Sequence, residues 1–196
     1  MHIKAAKISF MNWRSWAFVL AMVVCVQFIV LTTVAMFYYP GGTYTNHDAV
    51  GYSFWYNFFS DLGRSATFAG ASNTVSHILF VTALCFASVA LALAFAALPK
   101  LFNIVQSSRR LAILGSIVGI ISVVSYIGIA SIPPDLHLTI HRMFVYIAFS
   151  AFLLVVALYS TAIFRNKFYP NIYAYTYVAF AIILMLYLVL LFAGPK

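Results

Sequence analysis

Five long apolar runs, separated by short polar connections, set the pattern of this chain. A helix rising about 1.5 Å per residue must hold such a run for roughly 20 residues to cross a hydrocarbon core about 30 Å thick. On that basis the predicted spans are about 16–39, 74–98, 111–132, 136–164 and 172–192. The first is longer than a signal-peptide core of roughly 7–15 residues, so it reads as a true span. Trp13, Trp16, Tyr38 and Tyr39 bracket it as interfacial anchors. Pro40-Gly41-Gly42 stops this helix and Pro133-Pro134 stops the third. Ser72 or Asn73 suits the N-cap of the second span, and Asp135 that of the fourth. The first connection turns aromatic at Tyr52, Phe54, Trp55, Tyr56, Phe58 and Phe59. That pattern predicts a short interfacial helix over about 52–62, ending at Gly63. Tyr173, Tyr175 and Tyr177 form an aromatic belt at the mouth of the last span.

Composition turns this pattern into a class. Apolar residues make up 65% of the chain and charged residues 7%, with no Glu. Soluble domains hold roughly 45–50% apolar residues. The expected fold is therefore all-α: an integral membrane helical bundle of five transmembrane helices forming one domain, 1–196. The net charge of +8 does not mark a nucleic-acid binder, because the basic residues fall in the short connections, where they set topology. Lys4, Lys7, Arg14, Lys100, Arg109, Arg110, Arg165 and Lys167 fall on one side, against Arg64, Arg142 and Lys196 on the other. The expected orientation puts the N-terminus in the cytoplasm and the C-terminus outside. Cys25 and Cys85 lie inside apolar runs without ligand-type neighbours and read as buried free thiols. Gly115, Gly119, Ser122 and Ser125 suit a tightly packed third helix, or a dimerisation face.

The ionisable residues cluster. Asp48, Asp61, His47 and His77 lie between Tyr39 and His77; Asp135, His137 and His141 share the stretch after Pro133-Pro134. All are expected on the outer face. His137 and His141, four apart, would share one face of a helix, the spacing by which a helix gives zinc two ligands. His77, at comparable depth, could be the third. Asp61 and Asp135 could serve as a further ligand, an imidazole partner or a general base. Three histidines and a water would make a hydrolytic zinc site, with lipid head-group linkages as its natural substrate. The same residues also have structural readings: Asp135 as a helix cap, Asp61 paired with Arg64, and histidines as ordinary interfacial side chains. A b-type haem between His77 and His141 is a further alternative. The spans carry no ionisable residue at mid-depth, which argues against a proton or ion pathway.

The run Asn57-Phe58-Phe59-Ser60-Asp61-Leu62-Gly63-Arg64, followed by Asn73-Thr74-Val75-Ser76 and Phe80, resembles the signature of a prokaryotic multi-pass family, domain of unknown function 998. The stretch from Ile132 to His141 is similar to that family's loop and helix start after the third span. The family is related in pattern to the DRAM-like and FGF-receptor-activating membrane proteins. The resemblance implies a helical bundle with a polar outer site containing Asp61 and His141, and supplies no reaction. Such proteins commonly have six spans where this chain has five, so a partner subunit could supply the missing helix. A looser similarity to ceramidase-like membrane hydrolases implies His77, His137 and His141 around zinc, Ser76 or Ser60 as the serine, and Asp61 as the aspartate. The Ser-x-x-x-His spacing of those enzymes is absent, because position 73 is Asn. Three readings follow: a multi-pass protein of unassigned activity with a polar Asp/His cluster, a metal-dependent lipid hydrolase or lipid-remodelling enzyme with Asp61, Ser76 and Asp135 in catalytic roles, or a non-enzymatic subunit packed against membrane lipids and other membrane-protein subunits.

Overall fold

In lipid every backbone amide must find its partner within its own segment, and each of the five apolar runs does so by forming a helix. The computed structural model describes residues 12–193. Within them lie α1 (Trp13–Tyr38), α2 (Thr74–Ala97), α3 (Gln106–Ser131), α4 (Leu138–Phe164) and α5 (Asn171–Ala193). All five are long and apolar enough to cross a membrane, and the protein is a multi-pass, all-α membrane bundle.

The helix ends differ from expectation by local chemistry. Helix α1 starts at Trp13, because the Asn12 side chain accepts from the Arg14 and Ser15 amides at 3.2 Å. Helix α3 starts at Gln106 and takes in Arg109 and Arg110, whose long side chains stay exposed while their backbone is helical. Pro99 opens a 3-10 turn, Leu98–Phe102, that continues α2.

Asn73 holds the N-cap position of α2, as expected, but makes no capping hydrogen bond; the expectation for Asp135 fails, since the N-cap position of α4 is His137. The interfacial helix over 52–62 is also replaced. Only Phe59–Gly63 is helical, as one 3-10 turn. The Asn57 side-chain oxygen Oδ1 accepts from Ser53 N at 2.9 Å, and the Asp61 carboxylate accepts from Phe58 N at 2.8 Å. Short polar side chains that capture nearby amides compete with a helix for them.

Neighbouring helices pack in series, α1 on α2, α2 on α3, α3 on α4 and α4 on α5. Each pair runs antiparallel. Tyr146 stacks on Phe192 at 4.7 Å at one end of the α4–α5 seam, and Phe164 meets Tyr175 at 5.4 Å at the other. The middle three helices bury 39–44% of their apolar windows, against 17% for α1 and 11% for α5. The first and last helices are therefore peripheral. The small residues of α3 are used within the chain. A Cβ on Gly119 would lie 2.6 Å from Phe95 of α2, and one on Gly128 would lie 2.5 Å from Phe144 of α4. Ser122 donates to the Ala148 carbonyl at 2.8 Å, and Ser116 and Tyr159 hydroxyls meet at 2.7 Å. Close backbone approach and such bonds hold helices together where lipid gives no hydrophobic drive.

Cys25 and Cys85 are free, as expected, but exposed on the bundle surface rather than buried. Tyr39, expected as an anchor, is 2% exposed and packs with Leu62, Phe80 and Ile129. The α1–α2 and α3–α4 connections meet at one end of the bundle, termed the polar end. The opposite end carries Arg14, Lys100, Arg109, Arg110, Arg165 and Lys167, and is termed the basic end.

Candidate functional site

The polar end is organised by the segment Asp61-Leu62-Gly63-Arg64, which lies across the first turn of α2. Carbonyl groups in so short a turn lack helical donors, and α2 supplies them. The Asn73 amide nitrogen faces the carbonyls of Asp61 at 3.4 Å, Leu62 at 3.1 Å and Arg64 at 2.9 Å. Ser76 Oγ donates to the Leu62 carbonyl at 3.2 Å. His77 Nδ1 meets the Gly63 carbonyl at 2.8 Å, which requires the proton on Nδ1. Gly63 is required by close approach, since a Cβ there would lie 2.7 Å from the Phe80 ring.

Asp61 is 3% exposed. One carboxylate oxygen accepts from Phe58 N at 2.8 Å and from the Asn57 side-chain amide at 3.2 Å. That amide also donates to the Gly42 carbonyl at 2.9 Å, which accepts from the Tyr39 hydroxyl at 3.3 Å. Burial pushes the Asp61 carboxyl above its ordinary range, against the opposing pull of Asn57, the Phe58 amide and Arg64. Arg64 stands 4.0 Å from Asp61, so the expected pair exists at the limit of contact. Its guanidinium lies 3.9 Å over the Phe68 ring, and its Nε donates to the Ala66 carbonyl at 3.0 Å. Burial also raises the Tyr39 hydroxyl to about 12, with Asp61 adding to the shift.

Asp135 ties the α3–α4 connection to the same loop. It accepts from Ser65 N at 2.9 Å, from Ala66 N at 3.0 Å and from the Ser65 hydroxyl. Burial would raise its carboxyl, but these donors outweigh burial and hold it below the ordinary value. His141 is 2% exposed, and its Nδ1 meets the Ile132 carbonyl at 2.6 Å. Its Nε2 is buried without a partner among the described residues.

The predicted site residues thus share one end of the bundle without forming the predicted sites. Among the described residues no group of three His, Cys, Asp or Glu side chains is arranged to hold a metal ion. The zinc trio His77, His137 and His141 is therefore not assembled. His137 lies outside α4 in non-helical backbone, with its side chain exposed, so the helical geometry expected of the His-x-x-x-His pair is absent. Ser76 is fully buried and donates to a carbonyl, with no base upon it, so it is not set up as a nucleophile. Asp61 and Asp135 are each occupied by donors of the loop. Two apolar clefts sit at the basic end and neither is lined by a histidine, so neither offers the expected haem place between His77 and His141.

Residues absent from the expected site hold it together: Asn57, Ser65 and the Asn73 amide. Their signal in the sequence is faint, namely uncharged polar residues within an aromatic connection. Around this clasp Phe54, Trp55, Tyr56 and Phe58 stand 63–85% exposed. Chemically the arrangement is a lock: most of its hydrogen bonds run from side chain to backbone, and they join two connections. Compared with protein-family models, curated proteins and solved structures, the chain matches none.

Proposed function

We propose that this protein is a non-enzymatic membrane subunit, a five-helix scaffold that holds an aromatic loop rigidly at the membrane surface. One observation carries the reading. Asp61, Ser76, Asp135 and His77 bond to the backbone of the clasp, and His141 bonds to the Ile132 carbonyl at the end of α3, so the side chains best suited to catalysis are all engaged with backbone. Exposed Phe54, Trp55 and Tyr56 beside it suit the headgroup layer, where amphipathic rings partition. The peripheral α1 and α5 offer lateral faces to lipids and to other membrane proteins. The Ser60-Asp61-Leu62-Gly63-Arg64 run forms the centre of the clasp. Eight of the eleven Lys and Arg residues fall at the basic end or in the N-terminal segment, which supports a cytoplasmic N-terminus and an external clasp.

The test is metal content and thermal stability of gently purified protein supplied with zinc, beside a His141→Ala variant. The reading expects no stoichiometric zinc and no zinc-dependent rise in Tm. Near-stoichiometric zinc that disappears in His141→Ala would overturn it in favour of the metal-dependent lipid hydrolase.

A further inference from the structure

The two clefts at the basic end flank the first turns of α1 on opposite sides. The first, about 210 Å³, is bordered by Phe18 of α1, Leu91 and Phe95 of α2, Val156 and Tyr159 of α4, and Tyr177 of α5. The second, about 390 Å³, is bordered by Trp13, Trp16, Ala17 and Leu20 of α1 and Leu93 of α2. Both linings are apolar. The Tyr159 hydroxyl is already bonded to Ser116 at 2.7 Å and to the Ala112 carbonyl at 3.1 Å. Both clefts open within helices that span the membrane, so they suit hydrocarbon.

Arg14 stands between them. It lies four residues before Phe18 and so on the same helix face, about 6 Å nearer the membrane surface. Its guanidinium is 5.7 Å from the Trp13 ring, which borders the second cleft. Its Nε is buried without a partner among the described residues. The chain cannot neutralise it nearby, because Asp48, Asp61 and Asp135 are its only acids and all lie at the polar end. We infer that the basic end holds an anionic phospholipid, its phosphate on Arg14 and one acyl chain in each cleft. The drop from Arg14 to Phe18 matches the step from a lipid phosphate past its glycerol to the chains, and an uncompensated guanidinium is the donor set that phosphate selects. A zwitterionic lipid offers the same chains but cancels much of the charge.

The experiment is native mass spectrometry of the full chain released from detergent, offered equimolar phosphatidylglycerol and phosphatidylcholine with identical acyl chains. Phosphatidylglycerol is expected to be retained several-fold over phosphatidylcholine. Arg14→Gln is expected to weaken phosphatidylglycerol binding about fivefold, the effect of one basic residue at a lipid surface, and to weaken phosphatidylcholine less, so that the preference shrinks. Arg109→Gln with Arg110→Gln, at the same end but bordering neither cleft, keeps the preference. Leu93→Trp crowds the second cleft, weakening both lipids while preserving their ratio. Equal retention of the two lipids by the unaltered chain overturns the inference. So does a preference that Arg14→Gln leaves undiminished, or one that Arg109→Gln with Arg110→Gln shrinks as far as Arg14→Gln does.

Discussion

Asn73 is the residue on which the polar end turns. It is 1% exposed, and its amide nitrogen serves three carbonyls of the Asp61–Arg64 segment. Replacing it with Ala strands buried acceptors, which costs about 1–3 kcal/mol; a lowered Tm in detergent, with helicity by circular dichroism retained, is the expected outcome. The buried carboxyl of Asp61 and the half-buried one of Asp135 should respond to pH in opposite directions. Asp61 has its pKa raised above 3.8, so it binds its proton more tightly in the fold than when unfolded. Its contribution is complete below that value and is lost as pH rises through the folded pKa. Asp135 has its pKa lowered below 3.8, so its contribution is present above that value and is lost as pH falls through the folded pKa. In Tm measured against pH, Asp61→Asn should flatten the decline on the alkaline side of about pH 4, and Asp135→Asn the decline on the acid side. An unchanged profile in both variants would contradict the bonding assigned to them. At this scale the sequence pointed to the correct end of the molecule and named Asp61, Asp135, His77 and His141. It paired Asp61 with Arg64, which stand 4.0 Å apart, but missed the backbone partners, some as far as 70 positions away, such as Ser65 and Ala66 on Asp135.

At the scale of elements, α3 shows why small residues recur at particular turns. Gly119 faces the Phe95 ring of α2, while Gly115 and Gly128 face Tyr159 and Phe144 of α4. The helix is thus gripped from both sides by aromatic rings fitted to its glycines. Gly119→Leu should force α2 and α3 apart and destabilise the chain by about 1–3 kcal/mol, the usual cost of overpacking. Thermal unfolding checks this, with Ile120→Leu, at an exposed position of the same helix, as the near-neutral control. The spans themselves were legible in the sequence, since length and hydropathy act locally. The interfacial helix over 52–62 was not. Its aromatic spacing suits a helix, but Asn57 and Asp61 take amides that a helix would need, and that competition depends on the loop folding back on itself.

For the whole molecule, the serial packing leaves α1 and α5 with most of their surface outside the bundle. Cys25 on α1 and Cys85 on α2 both face outward. In membranes they should react with a lipid-soluble maleimide and resist a water-soluble one. The proposed orientation is checked by single cysteines at Asn46 and Asn103: in intact cells a membrane-impermeant maleimide should label the first and spare the second, and the reverse result would invert the topology. The sequence by itself determined the class, the number of spans and their approximate ends, because a hydrocarbon layer demands only sufficient apolar length and internally bonded backbone. It also determined that the three acids and four of the five histidines gather at one end and most of the basic residues at the other. Only the tertiary structure decided what those groups do. Whether a carboxylate becomes a ligand, a base or a clasp depends on which donors reach it, and those on Asp135 come from a connection that only the fold brings to it.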